Sequence, residues 1–259
     1  MSAARAEWTK LRTAPTSAWL LVCVVAFTVA LGAFVTSGLN VSHCPTPRTC
    51  FEDLPKLSLS GVWLGQVAVV ALAVLSSSGE HTTRMIQTTL AAVPQRLRVL
   101  AAKAGVVTLV TLLAGALGVA GSHLAARRIL PGHGFMAANG YGPLSLADEP
   151  TLRAAVGTVL YLGLVGLLAF GVATIARDTA AAITATLMLL FATPMLRMLV
   201  TDPVWQGRLE RYSPMTAGLA VQITKDGAPI GPWHGLGVLA AYAGVALLAG
   251  AVLFAVRDP

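Results

Sequence analysis

The segment His43-Cys44-Pro45-Thr46-Pro47-Arg48-Thr49-Cys50 is where chemistry-bearing side chains crowd most closely in this chain. Two thiols across a Pro-rich loop can close a disulfide, and such a bond persists only in an oxidising compartment. The expected reading is a Cys44–Cys50 staple on an exposed loop. Two others stay open: a metal site using His43 and both thiols, for which no fourth ligand is visible nearby, and a pair of free thiols. Cys23 reads as a small apolar filler. Asn40-Val41-Ser42 fits a glycosylation sequon, a match short enough to arise by chance.

Other chemistry is excluded by what the sequence lacks. There is no G-x-x-x-x-G-K-[ST]: the lysines are Lys10, Lys56, Lys103 and Lys225, and none follows a glycine. The chain therefore has no P-loop to cradle ATP. It also has no H-E-x-x-H and no G-x-S-x-G. The expectation is a protein that is not an enzyme, with no catalytic residues, no metal and no cofactor of its own.

The elements around these residues are set by six apolar runs, at residues 17–39, 59–76, 100–125, 152–176, 179–200 and 235–256. Each approaches the ~17–25 residues a helix needs to cross a bilayer core. They are too long for barrel strands, and only helices or closed barrels satisfy their backbone in lipid. Composition agrees. The chain is 56% hydrophobic and 11% charged, with a mean hydropathy of +0.74; a soluble domain carries about twice that charge fraction. The expected fold is all-α, a polytopic membrane protein with six transmembrane helices. No cleavable signal peptide is expected, because the first run exceeds a signal h-region.

The formal charge of +7 is not read as a nucleic-acid signal. The basic residues flank spans, where they meet anionic headgroups, and no aromatic platform accompanies them. Six spans place both termini on one side. Lys and Arg divide nine and nine between the two sides, and only their higher density in the shorter loops favours termini in the cytoplasm. A disulfide at Cys44 and Cys50 would agree. No Asp or Glu falls within any run. Ion-coupled carriers and intramembrane hydrolases usually need such groups.

The connecting segments carry their own patterns. At residues 1–16, Ala4, Trp8 and Leu11 recur at helical spacing, Arg5, Lys10 and Arg12 lie off that stripe, and Pro15 ends it. That describes an amphipathic interface helix, or more simply a positive flank. Residues 17–259 form the six-span domain. Its loop from Gly79 to Lys103 holds a second amphipathic helix at about 80–93, with Met85, Ile86, Thr89 and Leu90 on one face and Pro94 as its stop. That face can sink into the headgroup layer or into a groove on a cytoplasmic protein. Arg96, Arg98 and Lys103 follow, placed to snorkel at the lipid boundary.

Within the spans, Gly61-x-x-x-Gly65 has a close-packing spacing, and Gln66 is expected to bond a neighbouring helix. Arg177-Asp178 implies a tight antiparallel hairpin, and Pro194 a kink. An outer segment at about 201–233 holds Trp205, Tyr212, Pro214, Pro229, Pro232 and Trp233. It is expected to form short helices at the outer mouth.

Several of these residues resemble a known family. Glu7-Trp8-Thr9-Lys10-Leu11-Arg12 before the first span is similar to the opening of ABC transporter permeases of the type-2 exporter family. So are Gly79-Glu80 with Met85-Ile86-Gln87-Thr88-Thr89-Leu90, Arg98-Val99-Leu100-Ala101-Ala102-Lys103, the Arg177-Asp178-Thr179-Ala180 turn, and Pro232-Trp233-x-Gly235-Leu236 before a last span ending Arg257-Asp258. The resemblance covers essentially the whole chain. The sequence departs from the commoner pattern at His81, where an aromatic is frequent, and at Gln87, where Arg is frequent.

The resemblance implies a type V ABC exporter-like half-transporter in a bacterial plasma membrane, termini cytoplasmic. Two such permeases pair, as a homodimer or with a related permease, and each binds a separate ABC ATP-binding subunit carrying ATP and magnesium. No nucleic acid is implied. Glu80, His81, Thr83, Arg84, Met85, Ile86 and Leu90 would contact the ATPase, supported by Trp8, Lys10, Leu11 and Arg12. The expected cargo is amphipathic or hydrophobic (an antibiotic, peptide or lipid-like molecule), moving past apolar walls with scattered hydroxyls such as Thr28, Thr36, Thr108 and Thr111. The alternative is a membrane anchor, sensor or resistance subunit that binds an ATPase without transporting.

Overall fold

A computed structural model of the chain describes residues 15–40, 52–82, 96–142, 144–197, 199–225 and 230–256. Among them there is no strand. The helices are α1 (Pro15–Ser37), α2 (Leu54–Ser58), α3 (Val62–Thr82), α4 (Arg96–Ile129), α5 (Glu149–Ala176), α6 (Thr179–Arg197), α7 (Pro203–Tyr212), α8 (Pro214–Leu219) and α9 (Pro232–Val256). Single 3-10 turns follow α4 at Leu130–His133 and α8 at Ala220–Gln222.

Local chemistry sets several boundaries. Asp53 caps α2 by accepting from the Lys56 amide at 3.2 Å, and Asp202 caps α7 by accepting from Val204 at 2.8 Å. Each is followed by a proline in the first turn, a position where the missing N–H costs nothing. The expected hairpin is present between α5 and α6. Arg177 adopts a left-handed conformation, φ 57°, and its amide donates to the Ala173 carbonyl at 3.0 Å. Asp178 then accepts from the Ala181 amide at 2.7 Å and starts the next helix.

Among the described residues, five helices are long and apolar enough to cross a bilayer: Thr16–Ser37, Leu97–His133, Glu149–Ala176, Thr179–Arg197 and Pro232–Phe254. By the length and composition of these helices the chain is a multi-pass membrane protein. The run expected at 59–76 divides differently. Residues 59–61 form a turn after α2, and α3 then runs from Val62 to Thr82, apolar over Val62–Ser77. Serines at 76 and 77 close it on the other side.

Apolar character alone does not say which helix faces lipid; burial does. In the most apolar stretch of α5, 61% of residues are buried, against 17% in α1 and 22% in α6. Helix α5 is the spine, packed against α3, α4, α6 and α9. It contributes Tyr161, Leu162, Leu168 and Phe170 to the core, which meet Val69 and Val70 of α3 and Leu239 of α9. In lipid such seams depend on close backbone approach. At Gly61 a Cβ would collide with the Thr28 backbone of α1, and at Gly171 of α5 it would lie 2.7 Å from the Ala246 carbonyl carbon of α9. Ser122 of α4 donates to the Thr28 carbonyl at 3.0 Å and draws a third helix to the first of these seams.

Candidate functional site

Most of the residues assigned to partner contact lie outside the described residues: Trp8, Lys10, Leu11, Arg12, Thr83, Arg84, Met85, Ile86 and Leu90, together with Cys44 and Cys50. Glu80 and His81 belong to the last turn of α3, where only the backbone is described. Among the described residues no group of three or more His, Cys, Asp or Glu is placed to hold a metal ion.

Gln66 does what its position in an apolar run demands. It is fully buried, and the Tyr161 hydroxyl of α5 donates to its Oε1 at 2.5 Å. Its Nε2 donates to the Met215 sulfur of α8 at 3.6 Å. One side chain on α3 thus ties α5 and α8 together, and each of the three is sealed from solvent and lipid. A buried polar group with partners specifies packing; without them it costs free energy.

Three of the four hydroxyls expected to line a pathway are turned into the bundle, and Thr108 is half-buried. Thr28, Thr36 and Thr111 are buried inside the helical bundle. Thr28 and Thr36 donate to Val24 and Gly32, four residues back in α1, each at 2.6 Å, and Thr108 donates to Ala104 at 2.7 Å. Helical threonines satisfy themselves this way, and the glycines at 61 and 65 draw Thr28 inward. Lys103 also departs from expectation. It is buried against the bundle rather than extended toward a headgroup, because its position on α4 faces the protein.

The open polar site is at one end of the bundle, where the segment between α6 and α9 folds back. This segment is fastened at several points. Thr224 donates through its amide and hydroxyl to the two Asp53 oxygens, each at 2.7 Å. Arg153 donates to the Ile223 carbonyl at 2.8 Å, and Gln222 donates to the Thr158 hydroxyl at 2.9 Å. Glu210 of α7 pairs with Arg197 at the end of α6 at 2.7 Å. Thr216 of α8 donates to the Glu210 carbonyl at 3.0 Å.

Between this fold-back and the start of α3 lies a cavity of about 350 Å³, within the size range of small-molecule sites. Lys56, Trp63, Arg197, Glu210, Leu219 and Ile223 are among its lining residues. The Trp63 ring stands edge-on to Phe191 of α6, 6.3 Å between centroids. A second groove, between α1 and α4, is lined only by apolar side chains such as Leu21, Val25, Leu113 and Leu117, as a lipid-facing surface would be.

Sequence reasoning singled out Gln66 but missed this cavity. Its residues come from three separated stretches, around 56–63, 194–197 and 210–223, and no local pattern joins them. The nearest signals were Pro194 and the aromatic, Pro-rich segment after it. No protein-family model matches this chain, and no curated protein matches it.

Proposed function

We propose that this chain is the membrane-spanning permease subunit of an ATP-driven exporter in a bacterial plasma membrane. It works as a pair with a second permease, and ATP is hydrolysed with magnesium on a separate ATP-binding subunit. The observation that carries the reading is the order of elements. Residues 1–14 precede α1, a polar stretch of sequence separates α3 from α4, α5 and α6 meet in the Arg177-Asp178 turn, and short helices stand between α6 and α9. The hairpin at Arg177-Asp178 and the short helices before α9 support the architecture that the sequence motifs imply, while its lead helix and its helix at about 80–93 fall outside the described residues. Helix α3 serves as the sixth span in this reading: its 21 residues extend about 31 Å at 1.5 Å per residue, close to the thickness of a hydrocarbon core.

The mechanical consequence follows from the helices that leave the 83–95 loop. Helix α4 is continuous over 34 residues, so a displacement at Arg96 is carried along a single rigid element. Met85, Ile86 and Leu90 supply the face that an ATPase groove would grip, and α3 and α4 are the levers. Closure of two ATPases on ATP would then rock α3 and α4 against α1, whose seam at Thr28 and Gly61 is tight. An apolar or amphipathic cargo suits a bundle whose outer surfaces on α1, α6 and α9 are apolar. The test is transport in reconstituted vesicles holding the permease and its ATPase. ATP-dependent, vanadate-sensitive movement is expected. Movement that persists when the ATPase is catalytically dead would sink the proposal, and binding without movement would favour the anchor or sensor role.

A further inference from the structure

The cavity between α3, α6 and the α7–α8 fold-back has a polarity that selects one ligand class. Its walls include Trp63, Leu219 and Ile223, an apolar surface continuous with the bundle. Lys56 and Arg197 also line it. Arg197 is engaged with Glu210 through one nitrogen, Nη1, and a guanidinium has five donors. Lys56 lies in α2, exposed, and its ammonium has no hydrogen-bond or ion-pair partner among the described residues. Two cations and one carboxylate leave this lining with a formal charge of +1.

A cationic ligand meets net repulsion here, because the one carboxylate is already committed. A small inorganic anion would leave the indole and aliphatic wall facing water. A neutral hydrophobe would bury Lys56 without a partner, and burying an unpaired charge is costly. We propose that this cavity binds an amphipathic molecule with a single anionic head, carboxylate or phosphate. The head sits between Lys56 and Arg197, and the chain lies against Trp63 and Leu219. This does not rest on the exporter reading, since binding would require neither an ATPase nor a second permease.

The full chain in nanodiscs of zwitterionic phosphatidylcholine provides the test, with bromododecanoic acid as the probe and its methyl ester as the neutral control. Bromine quenches indole fluorescence at close range. The acid is expected to quench saturably and the ester only in proportion to its partitioning. Trp63→Phe should remove the saturable component. Lys56→Gln, a change at an exposed position, should weaken the acid's affinity about two- to fivefold, the range of one exposed charge pair. Saturable quenching of equal strength by the ester would overturn the proposal, as would an unchanged affinity in Lys56→Gln. Displacement of the acid by millimolar inorganic phosphate would also overturn it, because the chain would then contribute nothing. Repeating the titration in discs containing phosphatidylglycerol separates two sources of the same chemistry. With the acid's partitioning into empty discs of each composition subtracted, a weaker affinity assigns the site to a membrane lipid, and an unchanged one assigns it to a free amphiphile.

Discussion

Gln66 and Lys56 lie ten positions apart in the sequence and end in opposite circumstances. Gln66 is sealed, with a donor from Tyr161 and an acceptor in Met215. Lys56 is exposed on a cavity wall with donors to spare. The difference teaches how to sort polar residues in a membrane bundle. A polar group whose capacity is filled by neighbouring helices is architecture, and its removal is felt in stability. A polar group left open beside an apolar wall is available to a ligand, and its removal is felt in binding.

The sharpest way to break this contrast is to attack the sealed side. Gly61→Leu places a side chain against the Thr28 backbone. Overpacking of this kind costs about 1–3 kcal/mol or more, so the variant should elute as aggregate, or melt well below the wild type, on size-exclusion and thermal denaturation in detergent. Next comes Gln66→Leu, which leaves the Tyr161 hydroxyl buried without its acceptor. The cost should be about 1–3 kcal/mol, read as a melting temperature lower by roughly 2–4 °C per kcal/mol. Adding Tyr161→Phe should recover part of that loss, since both polar partners are then gone. Neither change should alter the quenching affinity of an anionic amphiphile.

The open side should behave in reverse. Glu210→Gln removes the carboxylate from Arg197 and should cost at most about 1 kcal/mol of stability, because the guanidinium is half exposed. It should strengthen anion binding by freeing the Arg197 charge, and high salt should diminish the gain. The smallest stability effect is expected for Lys56→Gln, within about 0.5 kcal/mol, even though it weakens binding. A Lys56→Gln variant that melts several degrees lower would collapse the distinction between the two regions.

Much of the fold could be read from the residues because lipid imposes a one-dimensional rule. Long apolar runs become helices, and Arg177-Asp178 left room only for a hairpin. Gln66 was legible for the same reason: a lone amide among apolar residues must find another helix. The fate of Thr28 and Thr111 was not legible, because hydropathy does not say which side of a helix faces protein. That is decided by glycines far away in the sequence, such as Gly61 in the turn before α3 and Gly65 within it, and those pairings are long-range. The cavity at Lys56 was invisible because Trp63, Arg197 and Ile223 meet only after the chain has crossed the bundle and returned. The contact assigned to Met85, Ile86 and Leu90 lies outside the described residues.

The central claim is that this chain takes its energy from an ATPase bound at the loop between α3 and α4. Affinity purification of the full chain from its native membrane, followed by an ATP hydrolysis assay on the eluate, tests that most directly when wild type is compared with the double change Met85→Asp and Ile86→Asp. The account predicts vanadate-sensitive hydrolysis that accompanies the wild type and is lost from the variant, while both chains insert and purify in equal amounts. Equal hydrolysis in the two eluates, or none in either, would contradict it.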